Sequence, residues 1–359
     1  MRKNTKNGSK KSKSASKSHL KISLIIFAVL VTLGIIGIVA YNLLWKPNIN
    51  TEGGKYKSFY VLQGDTWDDV KVKLDSMGLI KHDLEFTNAV SVFAKDEMPQ
   101  CGFYSLEPNI SNRSFINRLS YGLSNKMPVE IKMTRYTRWV ARNISRQVAA
   151  DSASLYRAFM ADSTLHKFGV TRESSLAMFV RFKREVNWCI DADEMVNIVY
   201  DEYNKFWNDD RRAKCYEIGL TPIQATILAS IVEEETNDYD DRRMVAGVYM
   251  NRMRRGMPLQ SCPTVRYAWE NFSIKRVLKA HLEIDSPYNT YKYQGLPPGP
   301  IRIPSERAID AVLNYVHHNY YYMCAKSDFS GVHDYATTFQ EHSNNARRYQ
   351  RQLNKRGIK

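Results

Sequence analysis

Residues 221–237 read TPIQATILASIVEEETN, an apolar run that begins with a helix start signal and ends in three consecutive glutamates. Thr221 is a favourable N-cap, Pro222 suits the first helical position, and Gln224 completes a capping box. Apolar residues recur in this stretch at the spacing of one helix face. The sequence therefore predicts a helix with an apolar stripe that carries acidic residues at its C-terminal end.

The three glutamates point in different directions on this helix. At about 100° per residue, Glu235 falls about 40° from Ile231, inside the apolar stripe, and Glu233 falls about 200° away on the far side, with Glu234 at the flank. A carboxyl group held against apolar surface has its pKa raised by desolvation, which suits a general acid near neutral pH. The alternative interpretation is that the helix ends before Glu235 and that all three acids are solvated.

Three further segments follow in the order and spacing of a known enzyme family. They are residues 247–269 (GVYMNRMRRGMPLQSCPTVRYAW), 286–301 (SPYNTYKYQGLPPGPI) and 331–342 (GVHDYATTFQEH). Together with the acidic helix they resemble the endolytic murein transglycosylase family, also called MltG or YceG-like. The resemblance runs from the N-terminal apolar segment nearly to the C-terminus. It implies an enzyme that cleaves peptidoglycan glycan strands, and it places the catalytic acid at the glutamate before the threonine, which is Glu235.

The implied reaction needs one carboxyl group. A lytic transglycosylase protonates the leaving oxygen of the β-1,4 bond between N-acetylmuramic acid and N-acetylglucosamine, through an oxocarbenium-like centre. The 6-hydroxyl of the muramic acid then closes onto the anomeric carbon, and the ionised acid takes its proton, so that a 1,6-anhydro sugar forms. A single apolar-facing glutamate fits this mechanism. The resemblance further implies cleavage within nascent strands, which terminates their elongation.

The resemblance gives supporting or substrate-binding roles to ten further residues. They are Glu233, Asn251, Arg252, Gln260, Thr264, Asn289, Tyr291, His333, Glu341 and His342. Glu233 is interpreted either as a supporting acid that hydrogen-bonds a neighbouring loop or as a structural residue. Asn251 and Arg252 are expected either to hold the acid-bearing helix or contact acetamido groups, or to be a polar helix end. The histidines lack a recognised zinc spacing, so we predict no metal and no cofactor.

The chain departs from the family pattern at three places near the expected groove. Residues 134–137 (TRYT) replace an acidic-Gly-x-Thr turn, residues 181–184 (RFKR) replace a Pro-x-Thr-Tyr segment, and Cys262 stands where the family has aspartate. A thiol is a poor hydrogen-bond acceptor, so we expect Cys262 to weaken turnover. These departures motivate an alternative function, a catalytically degenerate peptidoglycan-binding scaffold of the cell-wall synthesis machinery. The retained Glu235 argues against it.

The N-terminal segment predicts a membrane anchor. Residues 1–21 carry eight Lys and Arg residues and no acid, which predicts a disordered basic tail, and residues 22–45 then run for 24 residues without a charge. That run is long enough to span a bilayer, and the positive-inside rule places the tail in the cytoplasm. A cleavable signal peptide is the competing interpretation, but its apolar core would be shorter. We predict a single-pass protein of the inner (cytoplasmic) membrane with a periplasmic or otherwise extracytoplasmic body.

Charge and cysteine content limit the partners. The tail holds eight of the 52 Lys and Arg and none of the 37 Asp and Glu, so the remaining chain has 44 basic against 37 acidic residues and a net charge of +7. A nucleic-acid partner is therefore not expected. The five cysteines are widely spaced and predict neither a disulfide framework nor a zinc site. The partners that the resemblance implies are glycan strands, the cytoplasmic membrane, and peptidoglycan synthases or division proteins.

We predict an α+β fold in which a small module precedes a larger one. Residues 56–128 predict the order β-α-α-β-α, which resembles the LysM-like module of the same family, since Gly102, Tyr104 and Leu106 match its Gly-x-Tyr-x-Leu strand. Glycan binding and a spacer role are both open for this module. Residues 129–359 are expected to form a mixed α/β catalytic domain. Its predicted first elements are a strand at 129–133 and helices at 137–151 and 192–207, and residues 320–322 are predicted to lie in a core strand.

Overall fold

The structure is a computed structural model that describes residues 9–51 and 55–357. It is mixed α/β and divides into two compact units, Met1–Lys126 and Met127–Lys359. The first unit begins with the helix α1 (Ser9–Leu44). Within α1, Leu20–Leu44 has a mean hydropathy of 3.0 and none of it is buried, so it is long and apolar enough to cross a membrane. An N-terminal helix of this kind suits either an anchor or a signal sequence.

The expectation of a disordered tail is wrong for part of residues 1–21. Helix α1 begins at Ser9, so residues 9–21 are helical, whereas residues 1–8 lie outside the described residues. Lys and Ala have high helix propensity, and adding residues to an existing helix costs much less than starting one. The apolar run therefore extends its helix backwards into the basic segment.

The first unit packs three helices around short antiparallel pairs of strands. Strand β1 (Pro47–Ile49) pairs with β4 (Ile110–Ser111), and β2 (Lys57–Val61) pairs with β3 (Gly102–Leu106). The helices are α2 (Trp67–Ser76), α3 (Asp83–Phe93) and α4 (Asn112–Ser120). Alternate residues of β3 are buried, and they are Gly102, Tyr104 and Leu106. Gly102 is required there because a Cβ atom would lie 2.6 Å from the Cβ of Ser124.

The second unit is mainly helical. Strand β5 (Lys126–Ile131) starts at the boundary and pairs with β6 (Phe182–Asn187), and β7 (Tyr322–Ala325) pairs antiparallel with β8 (His333–Ala336). The helices are α5 (Thr137–Ile144), α6 (Ser152–Phe159), α7 (Asp162–Phe168), α8 (Ala192–Phe206), α9 (Asp209–Ile218), α10 (Pro222–Glu235), α11 (Tyr239–Arg254), α12 (Cys262–Ala268), α13 (Glu306–Leu313) and α14 (Phe339–Lys355). Short 3₁₀ turns occupy Ser175–Met178 and Lys279–Glu283.

Two local predictions in this unit are wrong. The helix predicted at 137–151 is too long, because α5 ends at Ile144 and residues 145–150 form turns and bends. The next helix, α6, starts after Asp151, whose side chain accepts hydrogen bonds from the N–H groups of Ala153 and Ser154 as its N-cap. The tyrosines at 320–322 are half-buried rather than core residues, and only Tyr322 belongs to β7.

Helix α10 lies at the centre of the second unit. Thr221 and Gln224 form the predicted capping box and Pro222 occupies the first turn. All nine residues from Ala225 to Glu233 are buried, so the helix is enclosed on every side rather than along one stripe. It packs against α11 and α13. A residue on the far side of the predicted stripe is therefore still inside the protein.

Candidate active site

The C-terminal end of α10 is fixed by contacts from two other elements. Glu235 is the last helical residue, and Thr236 follows as an extended C-cap. The Thr236 hydroxyl donates to the carbonyl of Gly331 at 3.1 Å, and the guanidinium of Arg242 in α11 donates to the Thr236 carbonyl at 2.9 Å. These bonds hold the acidic end of α10 against α11 and against the loop before β8. The interpretation in which the helix ends before Glu235 is wrong.

The carboxylate of Glu235 is bound by hydroxyl groups. Its Oε1 accepts hydrogen bonds from the Tyr249 hydroxyl and from the Ser261 Oγ, each at 2.7 Å. Tyr249 in α11 is fully buried, and Ser261 is the residue before α12. Burial raises the pKa of Tyr249 well above its usual value, and the nearby charge of Glu235 adds to this, so the phenol remains a hydrogen donor. The apolar stripe predicted around Glu235 is therefore interrupted by polar groups, which come from Tyr249 in α11 and from Ser261 before α12.

Glu233 has the most basic surroundings of the three glutamates. Its carboxylate lies 2.9 Å from Arg181 Nη2, 3.3 Å from Arg302 Nε and 4.0 Å from Arg242 Nη2. The backbone N–H of Ser305 donates to the same carboxylate at 3.1 Å. The Glu233 side chain is only 7% exposed, so these partners offset the cost of burying its charge. Burial lowers the pKa of Arg181, and the adjacent Glu233 charge opposes that shift.

Glu234 is also paired with arginines. It accepts a hydrogen bond of 2.8 Å from Arg135 Nη2 and a second one from Arg302 Nη1. Among the described residues, none forms an ion pair with Glu235. The three adjacent acids therefore differ in the groups that contact their carboxylates. Arginines pair with Glu233 and Glu234, whereas the hydrogen-bond partners of Glu235 are the hydroxyl groups of Tyr249 and Ser261.

A partly buried histidine and a buried aspartate lie near this acid. His333, at the start of β8, places Nδ1 2.8 Å from Asp241 Oδ2 in α11, and Tyr335 donates its hydroxyl to Asp241 Oδ1. Burial lowers the pKa of His333, but the hydrogen bond to Asp241 and the charges of Glu235 and Asp241 outweigh it, so that the net pKa is raised. The pKa of Asp241 is lowered in spite of its burial, because His333 and Tyr335 donate to it.

Asn251, Arg252 and Gln260 join the helix α11 to neighbouring chain. The Asn251 amide donates to the carbonyls of His318 and Tyr320 at 2.7 and 3.0 Å. Arg252 donates to the carbonyls of Pro258 and Tyr321 and, at 2.6 Å, to the side chain of Gln260. Gln260 adopts a left-handed φ of 57°, and its N–H donates to the Thr290 carbonyl. The amide hydrogens of Asn251 are thus directed at backbone carbonyls.

Thr264 and Asn289 are buried and shape the adjoining loops. The Thr264 hydroxyl lies 2.8 Å from that of Thr290, and the Asn289 amide donates to the carbonyls of Leu282 and Ile284. Tyr291 places its hydroxyl 3.3 Å from Cys262 Sγ. Burial raises the pKa of the Cys262 thiol, the hydrogen bond to Tyr291 opposes that shift, and the charge of Glu235 adds to it. Cys262 and Tyr291 therefore lie in the neighbourhood of the acid.

Glu341 and His342 are at the start of α14. Glu341 is exposed and accepts hydrogen bonds from the N–H groups of Thr337 and Thr338, so it completes a capping box. His342 stacks on Tyr322 with ring centroids 5.4 Å apart. Its Nδ1 atom is buried and has no hydrogen-bond partner among the described residues. Burial, assisted by the charge of Arg252, lowers the pKa of His342.

Several residues that the structure brings to the acidic helix end were not predicted from the sequence. They are Arg135, Arg181, Tyr249, Ser261, Arg302 and Asp241. Tyr249 and Ser261 could have been found, since both lie within residues 247–269, which resemble the family. Arg135 and Arg181 lie in the two segments that depart from the family pattern. Those segments therefore each supply one of the cations, Arg135 for Glu234 and Arg181 for Glu233.

Comparisons with known proteins agree on one family. A model of the YceG-like family matches residues 59–348. A protein named endolytic murein transglycosylase from Streptococcus pneumoniae (strain ATCC BAA-255 / R6) is 26% identical over 364 residues, which cover 91% of this chain and 65% of that protein. A protein of the same name from Bacillus subtilis (strain 168) is 43% identical over 122 residues, 34% of this chain and 33% of that protein. The chain thus spans just under two thirds of the length of the S. pneumoniae relative.

The fold is shared with a solved structure. The crystal structure of a yceG-like protein from Listeria monocytogenes superposes with a TM-score of 0.54 at 21% identity. The match covers 81% of this chain and 98% of that chain.

Proposed function

The chain belongs to the YceG-like family, and from that premise we propose that it is an endolytic peptidoglycan lytic transglycosylase with Glu235 as its catalytic acid. Its relatives are named endolytic murein transglycosylase, and this name supports the proposed substrate class. The observation that carries the proposal is that the three consecutive glutamates have different side-chain partners. Of these three glutamates, Glu235 alone has hydroxyl groups and no arginine as partners among the described residues.

The proposed reaction uses the two oxygens of Glu235 differently. Both hydroxyls donate to Oε1, which leaves Oε2 to deliver a proton to the glycosidic oxygen. As the bond between that oxygen and the muramic acid C1 breaks, the N-acetylglucosamine leaves with the proton. The muramic acid 6-hydroxyl then bonds to C1 and returns its proton to Glu235, so the acid is regenerated and no water is consumed. Release of 1,6-anhydro ends within nascent strands terminates their elongation.

The other predicted residues are proposed to support this chemistry. Asn251 and Arg252 position α11, and with it Tyr249, through backbone carbonyls. Gln260, Thr264, Asn289 and Tyr291 shape the loops next to Ser261 and Cys262. His333 supplies positive charge near Glu235 when it is protonated. Glu233 positions the helix end and Glu341 caps α14. His342 has a buried Nδ1 atom that no other described residue hydrogen-bonds.

We propose that residues 22–45 are a single-pass anchor, with residues 1–21 in the cytoplasm, residues 56–128 as a LysM-like glycan-binding module and residues 129–359 as the extracytoplasmic catalytic domain. The exposed apolar surface of Leu20–Leu44 supports the anchor, and the buried Gly102, Tyr104 and Leu106 of β3 support the module. Membrane and glycan strands are then partners, with peptidoglycan synthases or division proteins as further candidates. A reporter fused after Lys46 tests the topology, since we expect it to be active only outside the cytoplasm.

Digestion of purified sacculi tests the activity. The full chain, purified in detergent, is incubated with sacculi and the soluble products are analysed by mass spectrometry. We expect glycan fragments with 1,6-anhydro ends of various lengths, as an enzyme that cuts within the chain produces. The scaffold alternative, motivated by Cys262, predicts that the protein sediments with sacculi and releases no anhydro-ended product.

A further inference from the structure

An open cavity on the second unit is lined by arginines and aromatic rings. Its volume is about 380 Å³, and its lining includes Arg135, Trp139, Arg142, Asn143, Arg146 and Phe272. We call it the arginine cavity. This volume lies within the range of sites that bind small ligands, roughly 300–1,000 Å³. None of the described residues that line it is acidic. The cavity therefore offers positive charge without an internal counter-ion.

The arginines of this cavity differ in whether they form an ion pair. Arg135 already bonds Glu234 and stacks over the Phe272 ring at 4.1 Å. Arg142 lies in α5 and Arg146 in the turn that follows it, both are exposed, and neither forms an ion pair with another described residue. A guanidinium group that forms no ion pair within the described residues can bind a carboxylate, to which arginine donates paired hydrogen bonds.

The rings make the cavity more than a solvated basic face. Trp139 is 40% exposed and Phe272 is 36% exposed, although both are large apolar side chains that line the same cavity. An amide, Asn143, lies beside them. The cavity thus combines apolar faces, an amide and cations. Such a lining favours binding of a short peptide with an acidic group over binding of a bare inorganic anion.

The position of Arg135 connects the arginine cavity to the acid. Arg135 lines the cavity and also bonds Glu234, the residue before Glu235. In peptidoglycan the stem peptide is attached to the lactyl group of the same muramic acid whose glycosidic bond is cleaved. We infer that the arginine cavity binds a carboxylate of the stem peptide next to the cleaved bond. This inference rests on the proposed function, because it names a further part of the same substrate.

Direct binding tests the inference without requiring turnover. The full chain in detergent is titrated with free stem peptide by calorimetry, for the wild type and for the double variant Arg142→Gln/Arg146→Gln. We expect the double variant to bind the peptide about tenfold more weakly, as the loss of charge-assisted hydrogen bonds at exposed sites predicts. Arg157→Gln is the matched control, because Arg157 is an exposed arginine of α6 outside the cavity. Thermal unfolding of each variant checks that it is folded.

Cleavage of two matched substrates provides the second measurement. Glycan strands that keep their stem peptides are compared with the same strands after an amidase has removed the peptides. We expect the double variant to raise KM about tenfold on peptide-bearing strands and to leave KM on stripped strands unchanged.

Three outcomes overturn the inference while the proposed function stands. In the first, the wild type cleaves both substrates with equal KM. In the second, the double variant binds the peptide as tightly as the wild type does. In the third, an equal concentration of inorganic phosphate displaces the peptide. The last outcome identifies a general anion site. If the peptide binds as expected but no strand is cleaved, the arginine cavity is supported as a peptide site and the proposed activity fails.

Discussion

The hydroxyl of Tyr249 donates a 2.7 Å hydrogen bond to Oε1 of Glu235, and so joins the consecutive helices α10 and α11 at the proposed catalytic acid. Tyr249 is fully buried, and the high pKa that burial gives it keeps the hydrogen in place. Together with the Ser261 hydroxyl on the same oxygen, this bond fixes the carboxyl group in one orientation. A preorganised acid loses little free energy in reaching the geometry of proton transfer.

Replacement of the acid is the first prediction. Glu235→Gln keeps the size and hydrogen-bonding capacity of the side chain but removes the proton that it transfers. We expect release of anhydro-ended fragments from sacculi to fall at least 100-fold, in line with the usual contribution of a general acid or base. The melting temperature should remain close to that of the wild type, because the hydrogen-bond partners of Glu235 within the described residues are hydroxyl groups. Near-normal release by this variant would show that another group is the acid.

Removal of the tyrosine hydroxyl tests the orientation of the acid. Tyr249→Phe retains the buried ring and deletes one of the two donors to Glu235. A single hydrogen bond contributes about 1 kcal/mol, so we expect kcat on glycan strands to fall roughly three- to tenfold. Tyr216→Phe is the matched control, since Tyr216 is 87% exposed. An unchanged kcat in Tyr249→Phe would mean that the hydroxyl does not position the carboxyl group.

Glu233 is predicted to stabilise the folded protein. Glu233→Gln leaves Arg181 and Arg302 beside a neutral partner in a site where the Glu233 side chain is 7% exposed. Breaking a buried ion pair costs about 3 kcal/mol, which should appear as a clear fall in melting temperature. Glu185→Gln, at an exposed glutamate on β6, should leave the melting temperature unchanged. If Glu233→Gln melted like the wild type but had lost all activity, Glu233 would be a catalytic group instead.

The pair formed by His333 and Asp241 predicts a stability that depends on pH. The raised pKa of His333 means that its contribution is complete below 6.5 and is lost as pH rises through the folded-state pKa. The lowered pKa of Asp241 means that its contribution is present above 3.8 and is lost at lower pH. We expect His333→Gln to lower the melting temperature more at about pH 5.5 than at about pH 8.5. Equal losses at both values would contradict a charged pair.

Restoration of the family residue at position 262 is the last prediction. Cys262 lies 3.3 Å from the Tyr291 hydroxyl, and a carboxylate accepts that hydrogen more strongly than a thiol does. We expect Cys262→Asp to preserve cleavage or to raise it by up to about tenfold, which corresponds to about 1.4 kcal/mol. Cys262→Ser serves as the control for loss of sulfur. Abolished cleavage with unchanged thermal unfolding would indicate that these loops are rebuilt around the thiol.

Local signals in the sequence were sufficient to predict several helices and strands. The capping box and proline that start α10 act within four residues of one another, so the start of that helix follows from its own sequence. The apolar run at 22–45 and the strand with Gly102, Tyr104 and Leu106 are equally local patterns. The early end of α5 at Ile144 was not predicted, because the chain after it bonds to residues distant in sequence. The Gln147 side chain bonds the backbone of Glu130, and the Ala149 N–H donates to the Trp188 carbonyl, and periodicity does not record such contacts.

By itself the sequence determined the acidic helix, the family and the identity of Glu235 as the candidate acid. Only the tertiary structure decided how the three glutamates differ. Arg135, Arg181 and Arg302 reach α10 across 99, 52 and 68 residues of chain. Helical periodicity gives the direction in which each carboxylate points, but it does not give the charge that another part of the chain places there. The protonation behaviour of a side chain depends on those distant partners, and therefore on the fold.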